Sequence, residues 1–325
     1  MKKENTALVF PGQGSQFIGM GYELYQNSVA AKEVFQLVDE VLGYNLSNVI
    51  FNGDIVELTK TENAQPALMA VSLAVIRVLE QDFSLPINII ASLVAGHSLG
   101  EYSALASTKS ISIKEATNLL KIRGNAMAKC GLENNGAMAA VIGAEVELVL
   151  DLTKKASVAH NGIAEVCQIA NDNSSGQIVI SGHRSAIERA VAIAKDLGIR
   201  KVIILPVSGA FHSELMNNAS DIMANALKEV NFNNPSVPVV ANVTANIVAD
   251  NLAISQLLTA QITSSVRWRE TMIFMQDNNI ENIIEIGAGK VLCGLATRTN
   301  PDFKTFSLSE MSEIESFCKN FNIIS

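Results

Sequence analysis

Cysteine is scarce: four in 325 residues, Cys130, Cys167, Cys293 and Cys318, none in CxxC spacing. That excludes a disulfide framework and a thiolate metal site, and the four read as free thiols of a reducing cytosol. Histidine is equally scarce. His97, His160, His183 and His212 stand singly, with no HxH or HxxxH pair, so no metal site is expected. Long hydrophobic runs are missing too, and none approaches the ~18 residues of a membrane helix. The stretch Ile87 to Ala95 is interrupted by Asn88 and Ser92 and reads as a buried strand. The start, Met1-Lys2-Lys3-Glu4-Asn5, lacks the apolar stretch of a signal peptide. Charge is sparse at 17%, against about 25% in an average soluble protein. With 48% hydrophobic residues and a mean hydropathy of +0.25, the chain has ample surface to bury, which excludes disorder. A net charge of −8 argues against broad nucleic-acid binding. A cytoplasmic protein with no membrane contact is expected.

At roughly 100–200 residues per domain, 325 residues suggest two or three domains, or one with an insertion. Short apolar runs (Ala7–Phe10, Val202–Leu205, Val237–Val243, Asn282–Ile286) alternate with helical-period segments (Ala30–Leu42, Ala67–Asp82, Ile113–Lys129, Ile254–Gln261). This alternation predicts an α/β fold with a largely parallel sheet. Between Gly136 and Leu205 the order becomes βαββαβ, the ferredoxin-like pattern. A dense turn signal, Asn171 to Gly176, separates its two middle strands. The expected organisation is a catalytic α/β unit from 1–131 and 206–325, with a small ferredoxin-like unit, 132–205, inserted.

The segment Gly96-His97-Ser98-Leu99-Gly100 is a G-x-S-x-G motif between an apolar run and a helical segment, Glu101–Ser107. That context is what a nucleophile elbow requires: a tight turn exposes the Ser98 hydroxyl, and the following helix aims N–H groups at the site. An ordinary strand-to-helix turn containing serine is the alternative. A serine needs a base. His97 lies within the turn itself, His160 in polar loop sequence, and His183 at a helix start. His212 follows a strand, where active sites of open α/β sheets gather, and is the candidate base.

These residues resemble the malonyl-CoA:acyl-carrier-protein transacylases. The likeness rests on Phe10-Pro11-Gly12-Gln13-Gly14-Ser15-Gln16, on Gly96 to Ala104, and on Phe211-His212-Ser213. Gly136 to Gly143, Gln177 to Gly182, Val266-Arg267-Trp268 and Glu285 to Leu292 extend it over nearly the whole chain. The resemblance implies a hydrolase-like α/β domain with a ferredoxin-like insertion, and ping-pong transfer through an acyl-serine. It makes Ser98 the nucleophile and His212 the base, steadied by the Gln261 main-chain carbonyl. The backbone N–H groups of Gln13 and Leu99 would form the oxyanion hole. Gln261 and Phe211 are expected at the substrate. Departures are Ala288, where many members have proline, and a missing proline in Ile262-Thr263-Ser264-Ser265. Ser208-Gly209-Ala210-Phe211 is a form also seen in polyketide-associated acyltransferases.

Arg123 falls on an apolar stripe with Ala116, Leu119, Leu120 and Met127. A buried arginine cannot shed its charge and requires an anion. A structural ion pair or snorkelling to the surface would satisfy it. The resemblance makes the anion the free carboxylate of malonate, gripped by the guanidinium fork.

The expected function is malonyl transfer to the phosphopantetheine thiol of acyl carrier protein, for fatty-acid synthesis, by a monomer without a bound cofactor and with malonyl-CoA as substrate. The alternatives are a trans-acting polyketide acyltransferase, an acyl thioester hydrolase and a non-catalytic docking module. Arg184 and Arg189 are candidates for a basic patch that meets the carrier.

Overall fold

The computed structural model describes residues 3–158, 164–207 and 209–321. His160 and Ser208 lie outside them. The strands, in chain order, are β1 (Thr6–Phe10), β2 (Leu93–Gly96), β3 (Gly136–Ile142), β4 (Cys167–Ser174), β5 (Gln177–His183), β6 (Lys201–Ile204), β7 (Val239–Ala241), β8 (Asn246–Ile247), β9 (Asn282–Ile286) and β10 (Lys304–Leu308).

Two sheets result. The larger runs β10-β9-β1-β2-β7-β8 and is parallel except for β8, which is antiparallel to β7. β1 shows why this sheet is covered on both faces. Leu8 and Phe10 enter one apolar cluster and Ala7 and Val9 another, the period-two alternation of a strand buried on each side. The smaller sheet runs β4-β5-β3-β6, antiparallel throughout. Helices Val146–Ala156 and Arg184–Ala194 complete its βαββαβ order. This is the α/β architecture expected, a parallel sheet with a ferredoxin-like second sheet.

The expected boundary at 131/132 falls inside a helix. Ser112 caps that helix with a capping box to Glu115, and it runs from Ile113 to Asn134. The chain turns towards the small sheet at Asn135, which takes the left-handed conformation with φ of 44°. The expected strand Ile87–Ala95 divides. Pro86 starts a single helical turn, Ile87–Ile90, and the strand proper is Leu93–Gly96. The expected turn Asn171–Gly176 is mostly strand. β4 continues to Ser174, with irregularities between Ile169 and Asn171 and between Asp172 and Ser174. Two of its buried polar side chains find partners on other elements: Asn173 at His97, and Asp172 at Arg269 with Nε–Oδ2 3.0 Å.

Candidate active site

The site lies at the carboxyl end of β2. Gly96 and Gly100 permit the sharp turn between this strand and the helix Gly100–Ser107. A Cβ on Gly96 would meet the Gly100 backbone at 1.9 Å, and one on Gly100 would meet the Phe10 carbonyl at 2.3 Å. Ser98 itself has φ of 53°, a strained value for a residue with a side chain. Asn242 holds the turn in place. Its Oδ1 accepts from the Ser98 N–H at 2.7 Å, and its Nδ2 donates to the Gly96 carbonyl at 2.6 Å.

His212, just beyond β6 and also at positive φ (56°), places Nε2 at 2.7 Å from Ser98 Oγ. Its Nδ1 is 2.8 Å from the Gln261 carbonyl oxygen. A carbonyl only accepts, so Nδ1 carries the proton and Nε2 presents a lone pair to the Ser98 hydroxyl. The tautomer is therefore the one a general base requires. His97 also lines the site but makes no hydrogen bond to the hydroxyl. Its Nε2 donates to Asn173 Oδ1 at 2.8 Å, and its ring lies tilted against Trp268, 5.4 Å between centroids. His183 Nδ1 accepts from the Val166 N–H at 2.9 Å.

Arg123 is 1% exposed. Its Nη1 donates to Gln65 Oε1 at 2.7 Å, and Nη2 to Gln261 Oε1 at 2.9 Å and to Ser98 Oγ at 3.0 Å. Its Nε has no partner. No carboxylate among the described residues hydrogen-bonds to the guanidinium; neutral amides hold it instead. The structural ion pair and the surface route are thus both absent, and the charge is aimed at the serine.

Ser98, His212, Arg123, Gln13, Leu99 and Phe211 all line one cavity of ≈ 300 Å³. The backbone N–H groups of Gln13 and Leu99 donate to no protein acceptor among the described residues. Gln261 enters differently from the expectation. It is fully buried and does not line the cavity. Its carbonyl steadies His212, its Oε1 holds Arg123, and its Nε2 donates to the Ser98 carbonyl at 3.0 Å and to Glu101 Oε2 at 2.8 Å. Its hydrogen bonds thus join the nucleophile turn, the histidine, the arginine and Glu101 behind the cavity wall. Gln65, Asn242, Asn171 and Asn173 went unmarked in the sequence, because each reaches the site only through the fold. Arg189 is less available as a carrier contact than expected, since it pairs with Glu165 and donates to the Ala156 carbonyl.

Burial, and then the Arg123 charge, push the His212 imidazole down to about 3. The ring therefore stays neutral, and competent as a base, well below the ordinary histidine value of about 6.5. Acylation of Ser98 by a donor lacking a carboxylate should show no loss between pH 7.5 and 5. A stopped-flow pH profile checks this. Glu101 is pushed up to about 7 by burial, so the profile is also taken on Glu101→Gln. A break near 6.5 persisting in that variant contradicts the assignment.

A half-buried, cavity-lining serine on a strained strand-to-helix turn, a correctly tautomerised histidine and two free backbone donors define an acyl-transferring α/β enzyme. The comparisons with known proteins agree. The family model described as "Acyl transferase domain" matches residues 7–310. The malonyl CoA-acyl carrier protein transacylase of Bacillus subtilis (strain 168) is 41% identical over 309 residues, covering 95% of each chain. The crystal structure of the acyl-carrier-protein S-malonyltransferase of Bartonella henselae is 47% identical, with a TM-score of 0.92, covering 98% of this chain and 99% of that one. A malonyl-transacylase solved in complex with a type II PKS acyl-carrier protein is 36% identical, with a TM-score of 0.91, covering 97% and 99%. The chain belongs to the malonyl-CoA:acyl-carrier-protein transacylase family.

Proposed function

We propose that this chain moves malonyl from malonyl-CoA to the phosphopantetheine thiol of an acyl carrier protein, through a malonyl ester of Ser98, and so supplies fatty-acid synthesis. One observation carries the reading: an arginine without a carboxylate partner stands 3.0 Å from the candidate nucleophile. Malonyl is short. One methylene separates its thioester carbonyl from its free carboxylate, so an acyl group on Ser98 brings that carboxylate within reach of Arg123.

His212 Nε2 takes the Ser98 proton as Oγ attacks the thioester carbonyl. The Gln13 and Leu99 N–H groups receive the negative charge that develops on the carbonyl oxygen. Collapse breaks the carbon–sulfur bond, and the departing thiolate takes the proton from His212. The carrier thiol then gives its proton to His212 and attacks the malonyl ester, and Ser98 recovers its hydroxyl hydrogen. One thioester replaces another of similar energy, so the exchange requires no redox or metal cofactor.

Nucleophile, base and arginine all come from one chain, which supports a monomer as the working unit. No helix among the described residues is long and apolar enough to cross a membrane. The acidic balance of −8 supports a role without nucleic acid, and the four unpaired cysteines support a reducing cytoplasm.

The test is to incubate the chain with labelled malonyl-CoA, isolate it, and add carrier protein bearing its phosphopantetheine. The label should appear on the chain and pass to the carrier. Release as free malonate without transfer supports a thioester hydrolase, and no label supports a docking module. The likeness to the transacylase solved with a type II PKS carrier favours a second pathway reading. Comparing transfer rates to a fatty-acid carrier and a polyketide carrier separates the two.

A further inference from the structure

Glu101 is 2% exposed and forms no salt bridge to any lysine or arginine among the described residues. A buried carboxyl group without such a partner is expensive in either protonation state, and packing alone does not explain it. Two donors converge on its Oε2: the Gln261 side chain at 2.8 Å and the Asn242 backbone N–H at 3.1 Å. Each leads to the reaction centre. Asn242 clamps the Ser98 turn, and Gln261 holds Arg123.

The Gln261 amide could in principle sit either way round, because its oxygen and nitrogen occupy nearly the same space. Its neighbours decide. A guanidinium only donates, so the amide oxygen must face Arg123. The amide nitrogen must then find acceptors on the other side, and these are Glu101 Oε2 and the Ser98 carbonyl. Without the carboxylate, the orientation that presents an acceptor to Arg123 loses its stronger anchor. The Glu101 carboxyl group also lies close enough to Arg123 for the two to influence each other, although no direct bond joins them.

We propose that Glu101 is a positioning residue for acyl selection: acting through the Gln261 amide, it sets the placement of Arg123 from which the free carboxylate of the acyl group is gripped. This rests on the reading of Arg123 given above. Glu101 contacts none of the reacting atoms directly, so its loss should weigh more on the choice between acyl groups than on the chemistry of Ser98.

Three variants test it, with malonyl-CoA, acetyl-CoA and the neutral ester p-nitrophenyl acetate as acyl donors. Glu101→Leu removes the acceptor and keeps the volume. It should raise the KM for malonyl-CoA and lower the malonyl-to-acetyl ratio of kcat/KM by about tenfold, the scale of a lost charge-assisted hydrogen bond. Labelling of Ser98 by p-nitrophenyl acetate should fall by clearly less than malonyl loading does. Glu101→Gln retains an acceptor oxygen and should recover most of the ratio. Glu101→Asp keeps the charge but withdraws it by one methylene, and should lower the ratio in the same direction if Glu101→Leu does not fold. Equal loss with all three donors, or an unchanged ratio in both Glu101→Leu and Glu101→Asp, overturns the proposal. Arg123→Ala is run beside them. An unchanged ratio there removes the Arg123 reading itself, a result distinct from failure of the Glu101 variants alone.

Discussion

Ser98→Ala is expected to leave no covalent malonyl on the chain, and His212→Ala to slow labelling by at least about 10²-fold, the scale of a lost general base. Alanine carries the same Cβ as serine, so the strained φ of 53° costs no more than before. The Asn242 clamp on the residue 98 N–H survives, because it is made by the backbone. The fold, followed by circular dichroism and melting temperature, should therefore remain. His212→Ala should behave differently, since the hydroxyl stays in place and loses only its proton acceptor. The two side chains act as a unit joined by one 2.7 Å hydrogen bond. The double variant should accordingly be no slower than Ser98→Ala alone. Mass spectrometry of the chain after brief exposure to malonyl-CoA reads all three. A full malonyl adduct on Ser98→Ala excludes this serine as the nucleophile.

How much of this was legible in the sequence depends on how local each feature is. The elbow was legible because strand, turn and helix fit within a few residues, and Gly96 and Gly100 mark the backbone contacts. Arg123 was legible because it interrupts an apolar stripe, and burial follows from that periodicity alone. Gln65, Asn242 and Glu101 were not. They are ordinary polar residues until the fold places them 58, 144 and 160 positions from their partners Arg123, Ser98 and Gln261. The steadying of His212 by the Gln261 main-chain carbonyl has no side-chain signature, and only the family likeness pointed to it. The run Asn171-Asp172-Asn173-Ser174 was misread for a related reason. Composition cannot separate a solvated turn from a buried polar strand, because the difference lies in partners, His97 and Arg269, supplied from elsewhere. β10 escaped notice as well. Its exposed and half-buried residues, Lys304 to Ser307, carry little of the apolar signal of the interior strands.

Arg123→Ala should separate selection from chemistry. Where the carboxylate of malonyl is held by the guanidinium, removal of Arg123 leaves a buried charge without its partner. Such a loss costs about 3–5 kcal/mol, or roughly 10²–10³-fold or more in malonyl turnover. Acetyl has no carboxylate and gives up nothing of this kind. It should fall far less and gain relative to malonyl, because a neutral acyl group no longer leaves a buried arginine unpaired. Arg123→Lys is the informative intermediate. It keeps a positive charge but loses the planar fork that bridges Gln65, Gln261 and Ser98. It should retain some preference for malonyl at a raised KM. The measurement is the ratio of malonyl to acetyl loading on Ser98 in the parent and both variants. An equal fall for the two donors would mean that Arg123 only supports the structure around Ser98, and the thioester hydrolase would become the stronger reading.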